Sequence, residues 1–501
     1  DENMHEMQKA FKRCTPCLNI NLVKSMCRLL EGLLQRIEKY QAEMQKKGTP
    51  VKLDANGEKE LFESTFVFAG IWAFGGALII DKQSDERKNF SEWWKRVYTT
   101  VKFPKDGTVF DYYPSAANGE LLQFTDTITA YNPPADAYLV TKVFVPTLDT
   151  VTTEFLLDLL LPNRYPVHLT GAAGTGKTAV LANYLRNLDE TSWCFSSINL
   201  NYYSTSARLR MIMEGSIDKR SGRIYGPPGT KKLVYFIDDI NMPYVDKYNT
   251  QSPSCLIRQH MDYGSWWDTE TLSKKDIHDC QYIAAMNPTA GSFQIDDRLQ
   301  GQFVCLASNL STKETLTAVY TTILNHHLST FNKQIQEIGD ALVQGTVDLH
   351  DKVSTKFLPS TKKFHYQFNM RDFSAIMQGL SMSNSKKKFT PSMFVDLWKH
   401  ECTRVFSDRL VSEADNAEYD KLQASTASKF FKEVLDKSEA AEKVELEKIA
   451  AENEGKVPVD LKPVLIWNTV ANPDNVYLPV KNFKELHKVL IGKLEAYNEA
   501  N

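Results

Sequence analysis

The run Gly171-Ala172-Ala173-Gly174-Thr175-Gly176-Lys177-Thr178 spells a complete G-x-x-x-x-G-K-T phosphate-binding loop. Glycines let such a loop curl until its backbone N–H groups converge on phosphate oxygens, and a helix starting at its end adds the positive end of a dipole. The Lys177 ammonium can then reach the β- and γ-phosphates, and the Thr178 hydroxyl can ligate Mg²⁺. About 60 residues past the loop, a spacing ordinary for nucleoside triphosphatases, stand Asp238 and Asp239. Asp238 is placed to hold Mg²⁺, and Asp239 to polarise an attacking water; helix capping by the two aspartates is the alternative. Asn287-Pro288 ends another apolar run, so a neutral amide could orient water beside the γ-phosphate, although Asn-Pro alone is simply a turn signal. Together these residues imply a bound nucleoside triphosphate.

The elements that must position them are legible around the motifs. Val167-His168-Leu169 leads straight into the loop as a strand, and Ala179 to Leu185 suits the helix that follows it. Leu233-Val234-Tyr235-Phe236-Ile237 is an all-apolar strand ending at the two aspartates, and ligands of open α/β sheets bind at the carboxyl ends of such strands. With Cys194–Leu200 and Gln281–Ala285, four strands alternate with helical stretches across about 135–310, the pattern of a parallel α/β sheet. Before it, 1–134 is mostly helical: Leu22 to Lys39, an apolar run Phe66–Ile80, and Phe90 to Val101, with an extended Val109–Pro114 and a linker at Tyr131-Asn132-Pro133-Pro134. After it, 311–456 returns to helices and closes on the charged tract Lys432–Lys456, read as a solvated helix face. The stretch 457–501 begins something new with Val464-Leu465-Ile466-Trp467 and Tyr477-Leu478-Pro479-Val480.

Composition bounds the reading. The 501 residues correspond to roughly three or four units of ordinary size. With 42% hydrophobic and 11% aromatic residues, the chain has the means to build real cores. A net charge of −3 points neither to nucleic acid nor to a membrane surface. The Phe66–Ile80 run is shorter than the ~20 residues of a spanning helix and is broken by Gly75-Gly76, so a buried core helix is expected. Eight cysteines show no disulfide-framework spacing, and Cys14-Thr15-Pro16-Cys17, a lone C-x-x-C, reads as ordinary thiols in a reducing compartment. The chain opens on Asp1 rather than Met and stops at Asn501 inside a helix-compatible stretch, so an internal piece of a longer protein is expected.

The string Phe236-Ile237-Asp238-Asp239-Ile240-Asn241-Met242-Pro243 resembles the magnesium-site strand of an AAA+ module of dynein heavy chains, in particular the third of six in axonemal dyneins. Val145-Pro146 and the residues to Thr150 resemble the adenine-side segment, Met286 to Gly291 the sensor 1 region, and Phe368 to Ser374 the sensor 2 region. Phe66–Gly76 looks like the small domain of the second module, and Tyr477–Asn501 like the lead-in to the fourth. The resemblance implies an AAA+ P-loop large α/β domain followed by a helical small domain, with the helical small domain of the neighbouring module before it. It assigns ATP or ADP to Val145, Pro146 and Gly171–Thr178, Mg²⁺ to Thr178 and Asp238, sensor 1 to Asn287 and sensor 2 to Arg371. It also implies an ATP-driven, minus-end-directed microtubule motor of the ciliary axoneme. Its partners would be the other AAA+ modules of the same chain, dynein intermediate and light chains, and microtubules reached only through parts outside this chain.

Two departures from the family pattern qualify these expectations. AAA+ proteins generally carry Glu where this chain has Asp239; the shorter side chain withdraws the carboxylate by about an ångström, and such misplacement can cost ~10²-fold in rate. Slow, regulatory hydrolysis with binding retained is therefore expected. In the arginine-finger region the family shows Arg-x-x-Arg-His-Phe, whereas this chain has Arg298-Leu299-Gln300-Gly301-Gln302-Phe303. The finger would serve the preceding module's nucleotide, leaving this site dependent on the next module. A midasin-like remodelling ATPase, an ordinary ring-forming AAA+ remodeller and a non-catalytic nucleotide-stabilised scaffold are the competing readings.

Overall fold

The computed structural model describes residues 11–49, 53–81, 84–129, 131, 143–288, 295–310, 312–437, 463–469 and 476–500. They fall into two compact units, one of Asp1–Thr129 with Pro146–Leu310, the other of Ala130–Val145 with Ser311–Asn501.

The first unit opens with α1 (Asn19–Lys46), α2 (Ala55–Gly75) and α3 (Glu86–Val97). Asp54 and Asp85 start the latter two by accepting the backbone N–H groups of Gly57 and Lys88. The apolar run expected as one helix to Ile80 is helical only to Gly75. Beyond it the Gly76 carbonyl accepts the Ala307 N–H at 2.7 Å and Leu78 bridges Arg13, so the chain leaves the helix to pair with other segments. Val109–Pro114 likewise is extended only over β1 (Tyr112–Pro114), which pairs antiparallel with β2 (Leu121–Gln123). A Thr108/Asp111 capping box winds Val109–Asp111 into a 3₁₀ turn.

The same unit continues through α4 (Leu148–Leu160), β3 (Val167–Thr170), α5 (Lys177–Arg186), β4 (Trp193–Asn199), α6 (Ser206–Glu214), β5 (Asp218–Ser221), β6 (Ile224–Gly226) and β7 (Lys232–Asp238). Then come α7 (Ser252–Tyr263), β8 (Ser265–Trp267), β9 (Lys274–Ile277), β10 (Cys280–Met286), α8 (Asp297–Gln300) and β11 (Val304–Ala307). Five strands form a parallel sheet in the order β11-β3-β10-β7-β4. Leu233 to Ile237 are all buried, as a central strand covered on both faces requires. The four expected strands lie within one residue of β3, β4, β7 and β10 at either end. Strand β11 and the small sheet β5-β6-β9-β8 were not expected. One apolar core joins Leu29, Phe68, Trp72 and Phe110 of the helical part to Val167, Leu169 and Leu306 of the sheet.

The second unit contains α9 (Lys313–Leu328), α10 (Lys333–Gln336), α11 (Gly339–Lys356), α12 (Met370–Ser381), α13 (Pro391–Phe406) and α14 (Glu413–Phe430). An antiparallel pair, β12 (Pro463–Asn468) and β13 (Leu478–Asn482), precedes α15 (Phe483–Ala500). Its core gathers Phe373, Phe394 and Trp398 with Trp467 and Tyr477 of the hairpin region. Most of the charged tract expected at Lys432–Lys456, and the Asn132–Pro134 part of the expected linker, lie outside the described residues. Among the described residues no helix is long and apolar enough to cross a membrane.

Candidate nucleotide site

Strand β3 is flanked by β10 and β11, and the phosphate loop leaves its carboxyl end between them. The Gly171 N–H donates to Met286 O at 3.1 Å, tying the start of the loop to the end of β10. A Cβ on Gly171 would lie 2.1 Å from the Ser308 carbonyl oxygen, so close packing against the residue after β11 admits only glycine. Gly176 has open space around it but a φ of +86°, so conformation rather than volume dictates it, and Gly174 likewise has a left-handed φ of +82°. Gly176 is also the N-cap of α5, which places the helix N-terminus at the mouth of the loop. Inside the loop, Thr175 Oγ1 donates to Ala172 O at 3.1 Å, and the Ser308 hydroxyl donates to Thr175 Oγ1 at 3.2 Å. Ala173 is half-buried and Ala172 exposed.

Lys177 is buried, and its ammonium donates to Gly171 O at 2.8 Å, Ala172 O at 2.7 Å and Thr175 Oγ1 at 3.3 Å. Its charge is therefore fixed over the loop. Thr178 Oγ1 donates to Asp238 Oδ2 at 2.8 Å, while Asp238 Oδ1 accepts the Asp239 N–H at 3.1 Å. A hydroxyl and a carboxylate in contact are hard oxygen donors of the kind Mg²⁺ takes, and Thr178 and Asp238 would hold it beside bound phosphate. The residues present thus fit Mg²⁺. Among the described residues no group of three or more His, Cys, Asp or Glu is placed to hold a metal ion.

Asp239 has a φ of +54°, a left-handed conformation that Asp tolerates better than most side chains. It turns the chain off β7 and leaves the residue exposed, while Ile240 drops into the core and donates its N–H to Ala285 O at 3.3 Å. Asn287 follows the end of β10, the strand between β3 and β7, and its carbonyl accepts Asn241 Nδ2 at 3.2 Å. Asn241 and Gln251 are buried; Gln251 Nε2 donates to Asn241 O at 3.2 Å and Pro243 O at 2.9 Å, and Ser254 of α7 donates to Gln251 Oε1 at 3.2 Å. This amide chain joins the tips of β7 and β10 to α7. Gln251 and Ser308 carry no local sequence signal for these roles; only the fold brings them to the loop and the strand tips.

Gly171–Thr178, Asp238, Asp239 and Asn287 are thus gathered at the carboxyl end of one sheet in the first unit. Pro146, just ahead of α4, belongs to that unit, whereas Val145 packs on the core of the second. Arg371 is also in the second unit, exposed in the first turn of α12, with its N–H capped by Asn369 Oδ1 at 2.9 Å. Asp372 accepts the Asn369 N–H and pairs with Arg409, which fixes the start of that helix.

At the finger region Arg298 is exposed. A Cβ on Gly301 would come within 3.0 Å of Asn21 Oδ1 of α1, and Gln302 Nε2 donates to Asp262 Oδ1 at 2.7 Å. Arg28 of α1 donates to Gln302 O at 2.6 Å. The positions where the family shows Arg and His are therefore packed against α1 and α7, beside a groove of about 700 Å³ walled by Leu18, Lys24, Arg258 and Arg298.

Three families have models that match this chain: the P-loop containing dynein motor region over residues 132–311, the AAA+ lid domain over 342–441 and the dynein heavy chain AAA lid domain over 1–126. Dynein axonemal heavy chain 17 of Homo sapiens is 39% identical over 501 residues, 99% of this chain and 10% of that protein. The ciliary dynein beta chain of Tripneustes gratilla is 40% identical over 494 residues, 98% of this chain and 10% of that one. The flagellar outer-arm dynein beta chain of Chlamydomonas reinhardtii is 37% identical over 507 residues, 100% of this chain and 10% of that relative. The chain spans about a tenth of the length of the curated relatives it matches.

Proposed function

Because this chain belongs to the axonemal dynein heavy-chain family, we propose that it is a piece of a dynein motor ring centred on the third AAA+ module. On this reading, 1–134 is the small domain of the second module with its linker, and 135–310 the large α/β domain of the third. The helical small domain and charged tract of the third module fill 311–456, and 457–501 leads into the fourth. The module binds ATP or ADP with Mg²⁺, hydrolyses slowly and regulates the motor cycle.

The observation that carries this reading is the Thr178–Asp238 hydrogen bond beneath a complete phosphate loop. Bound Mg²⁺ would neutralise charge shared by the β- and γ-phosphate oxygens, with Thr178 and Asp238 holding it. The loop N–H groups and Lys177 bind and orient the phosphates. Asp239 accepts a proton from the attacking water, Asn287 orients that water, and Arg371 reports the γ-phosphate to the helical small domain. A carboxylate one methylene short, on a left-handed backbone, supports slow turnover with binding preserved.

In the intact heavy chain, the proposal is an ATP-driven, minus-end-directed motor of the ciliary axoneme whose principal hydrolysis occurs in another module. Microtubules are reached through parts outside this chain, and intermediate and light chains complete the assembly. The discriminating experiment is Asp239→Asn in the intact motor, read as ATP-induced release from microtubules. Altered release supports a regulatory site. Unchanged release combined with very slow ADP dissociation identifies a nucleotide-held scaffold instead.

A further inference from the structure

Strand β11 is an outer strand of the five-stranded sheet, so one row of its backbone groups must find partners outside that sheet. The chain just past α2 and the first turn of α3 supply them. The Ala307 N–H donates to Gly76 O at 2.7 Å, and the Ala307 carbonyl accepts Arg87 Nη2 of α3 at 3.0 Å. The Arg87 guanidinium is held in place by two rings, lying 5.5 Å from the centroid of Trp72 and 5.4 Å from that of Phe110. Two residues past Ala307, the Asn309 carboxamide stands in for a backbone partner. Its Oδ1 accepts the Ile80 N–H at 2.9 Å, and its Nδ2 donates to Leu78 O at 3.3 Å.

Between these two anchored residues, Ser308 turns toward β3 and the phosphate loop. Its N–H donates to Thr170 O at 2.8 Å, and its hydroxyl lies 3.2 Å from Thr175 Oγ1 and 3.4 Å from Thr175 O. Its carbonyl oxygen is the atom that leaves no room for a Cβ on Gly171. Ser308 therefore braces the loop both at its first residue and in its middle. Thr175 Oγ1 in turn accepts from the Lys177 ammonium at 3.3 Å, so the brace extends to the charge that meets phosphate.

Building on the nucleotide-binding role proposed for Gly171–Thr178, we propose that Ser308 is a positioning residue of that site and that Arg87 and Asn309 hold it in place. The affinity for the phosphates of a nucleoside triphosphate then depends on the helical part that precedes the sheet. A phosphate loop binds through N–H groups aimed in advance, and a loop that the ligand must first order binds more weakly. Without the Ser308 hydroxyl, Thr175 keeps its bond to Ala172 O but loses its tie to the sheet edge. Arg87 and Asn309 act one step further out, by fixing where the chain leaves β11. The competing explanation is that these contacts only cover a sheet edge and leave the loop indifferent to them.

The test measures Mg²⁺-ATP affinity and thermal melting of the full chain. Ser308→Ala and Asn309→Leu are each expected to weaken binding about three- to tenfold. Ser308→Thr, which keeps the hydroxyl, is expected to bind as the parent does. In the Ser308→Ala background, Asn309→Leu should weaken binding no further, because both act through one hydroxyl. Additive losses in the double variant overturn the proposal, as do Ser308→Ala and Asn309→Leu chains that bind as tightly as the parent. If Asn309→Leu does not fold, Arg87→Lys, which keeps the charge and loses the planar fork, takes its place in the same cycle with the same deciding outcomes. Failure of the site itself reads differently: a parent chain without binding that Lys177→Ala removes refutes nucleotide binding at the loop, and the positioning role falls with it.

Discussion

The Thr178 hydroxyl and the Asp238 carboxylate, 60 positions apart in the chain, meet in a 2.8 Å hydrogen bond at the carboxyl ends of β3 and β7. Neither residue is near the other in sequence; the sheet order, with only β10 between their strands, brings them together. Hydrogen bonds to charged groups contribute roughly 1.5–3 kcal/mol, and replacing either partner also removes a ligand for Mg²⁺. Asp238→Asn should therefore lower nucleotide affinity measured with Mg²⁺ by about ten- to a hundredfold while leaving Mg²⁺-free affinity little changed. Calorimetric titration with and without the ion checks this. Retention of the full Mg²⁺ dependence would place the ion elsewhere.

Gly171 and Gly176 are glycines for different reasons, and their variants should part accordingly. Gly171→Ala forces a Cβ to within 2.1 Å of backbone oxygen, so the loop must shift and nucleotide binding should be lost together with thermal stability. Gly176→Ala meets no atom and bears only the left-handed backbone cost, about 1–2 kcal/mol. Melting curves and fluorescent-nucleotide binding on the two variants separate these cases; equal damage would refute the distinction.

Asn241 and Gln251, which continue the amide chain from the half-buried Asn287, are buried, so removing one of them orphans its neighbours. Gln251→Leu would leave the Asn241 and Pro243 carbonyls without their donor and Ser254 without its acceptor. Leaving buried polar groups unpaired costs about 1–3 kcal/mol each. The expected outcome is a clear fall in unfolding free energy by denaturant titration, with Mg²⁺-nucleotide partly restoring it. A variant as stable as the parent would show that the chain of amides is dispensable.

Two histidines of the first unit predict acid sensitivity. Burial holds His168 and His260 at pKa values of about 4. In the unfolded chain they take up protons near pH 6.5, so the unfolded state binds more protons below that pH. Their contribution to stability is intact above about 6.5 and is lost as pH falls toward about 4, on the order of 3 kcal/mol per histidine at the limit. His168→Gln should flatten part of the stability–pH curve over that window, read by chemical denaturation at several pH values. An unchanged slope would mean His168 is not buried neutral.

Much of the site was legible in sequence because its chemistry is local. The loop needs adjacent glycines, and Leu233–Ile237 is uniformly apolar because both faces of β7 are covered. Strand β11 is not legible in sequence, since Val304-Cys305-Leu306-Ala307 is a short apolar run that periodicity cannot tell from a buried helical turn. The end of α2 is not encoded locally, because the apolar run continues past Gly75 and the chain leaves the helix where the Gly76 carbonyl accepts the Ala307 N–H. Ser308 reaches Thr175 across 133 positions of the chain, a distance no local pattern encodes.

A site that binds well and turns over slowly is distinguished by mixing this chain with limiting ATP and Mg²⁺ and following bound nucleotide and released phosphate together. Lys177→Ala serves as the control. The expected result is Mg²⁺-dependent binding that Lys177→Ala abolishes, with phosphate released well below the ~1 s⁻¹ lower bound of typical turnover. Phosphate release at or above that rate, removed by Lys177→Ala, would contradict it, as would an absence of binding.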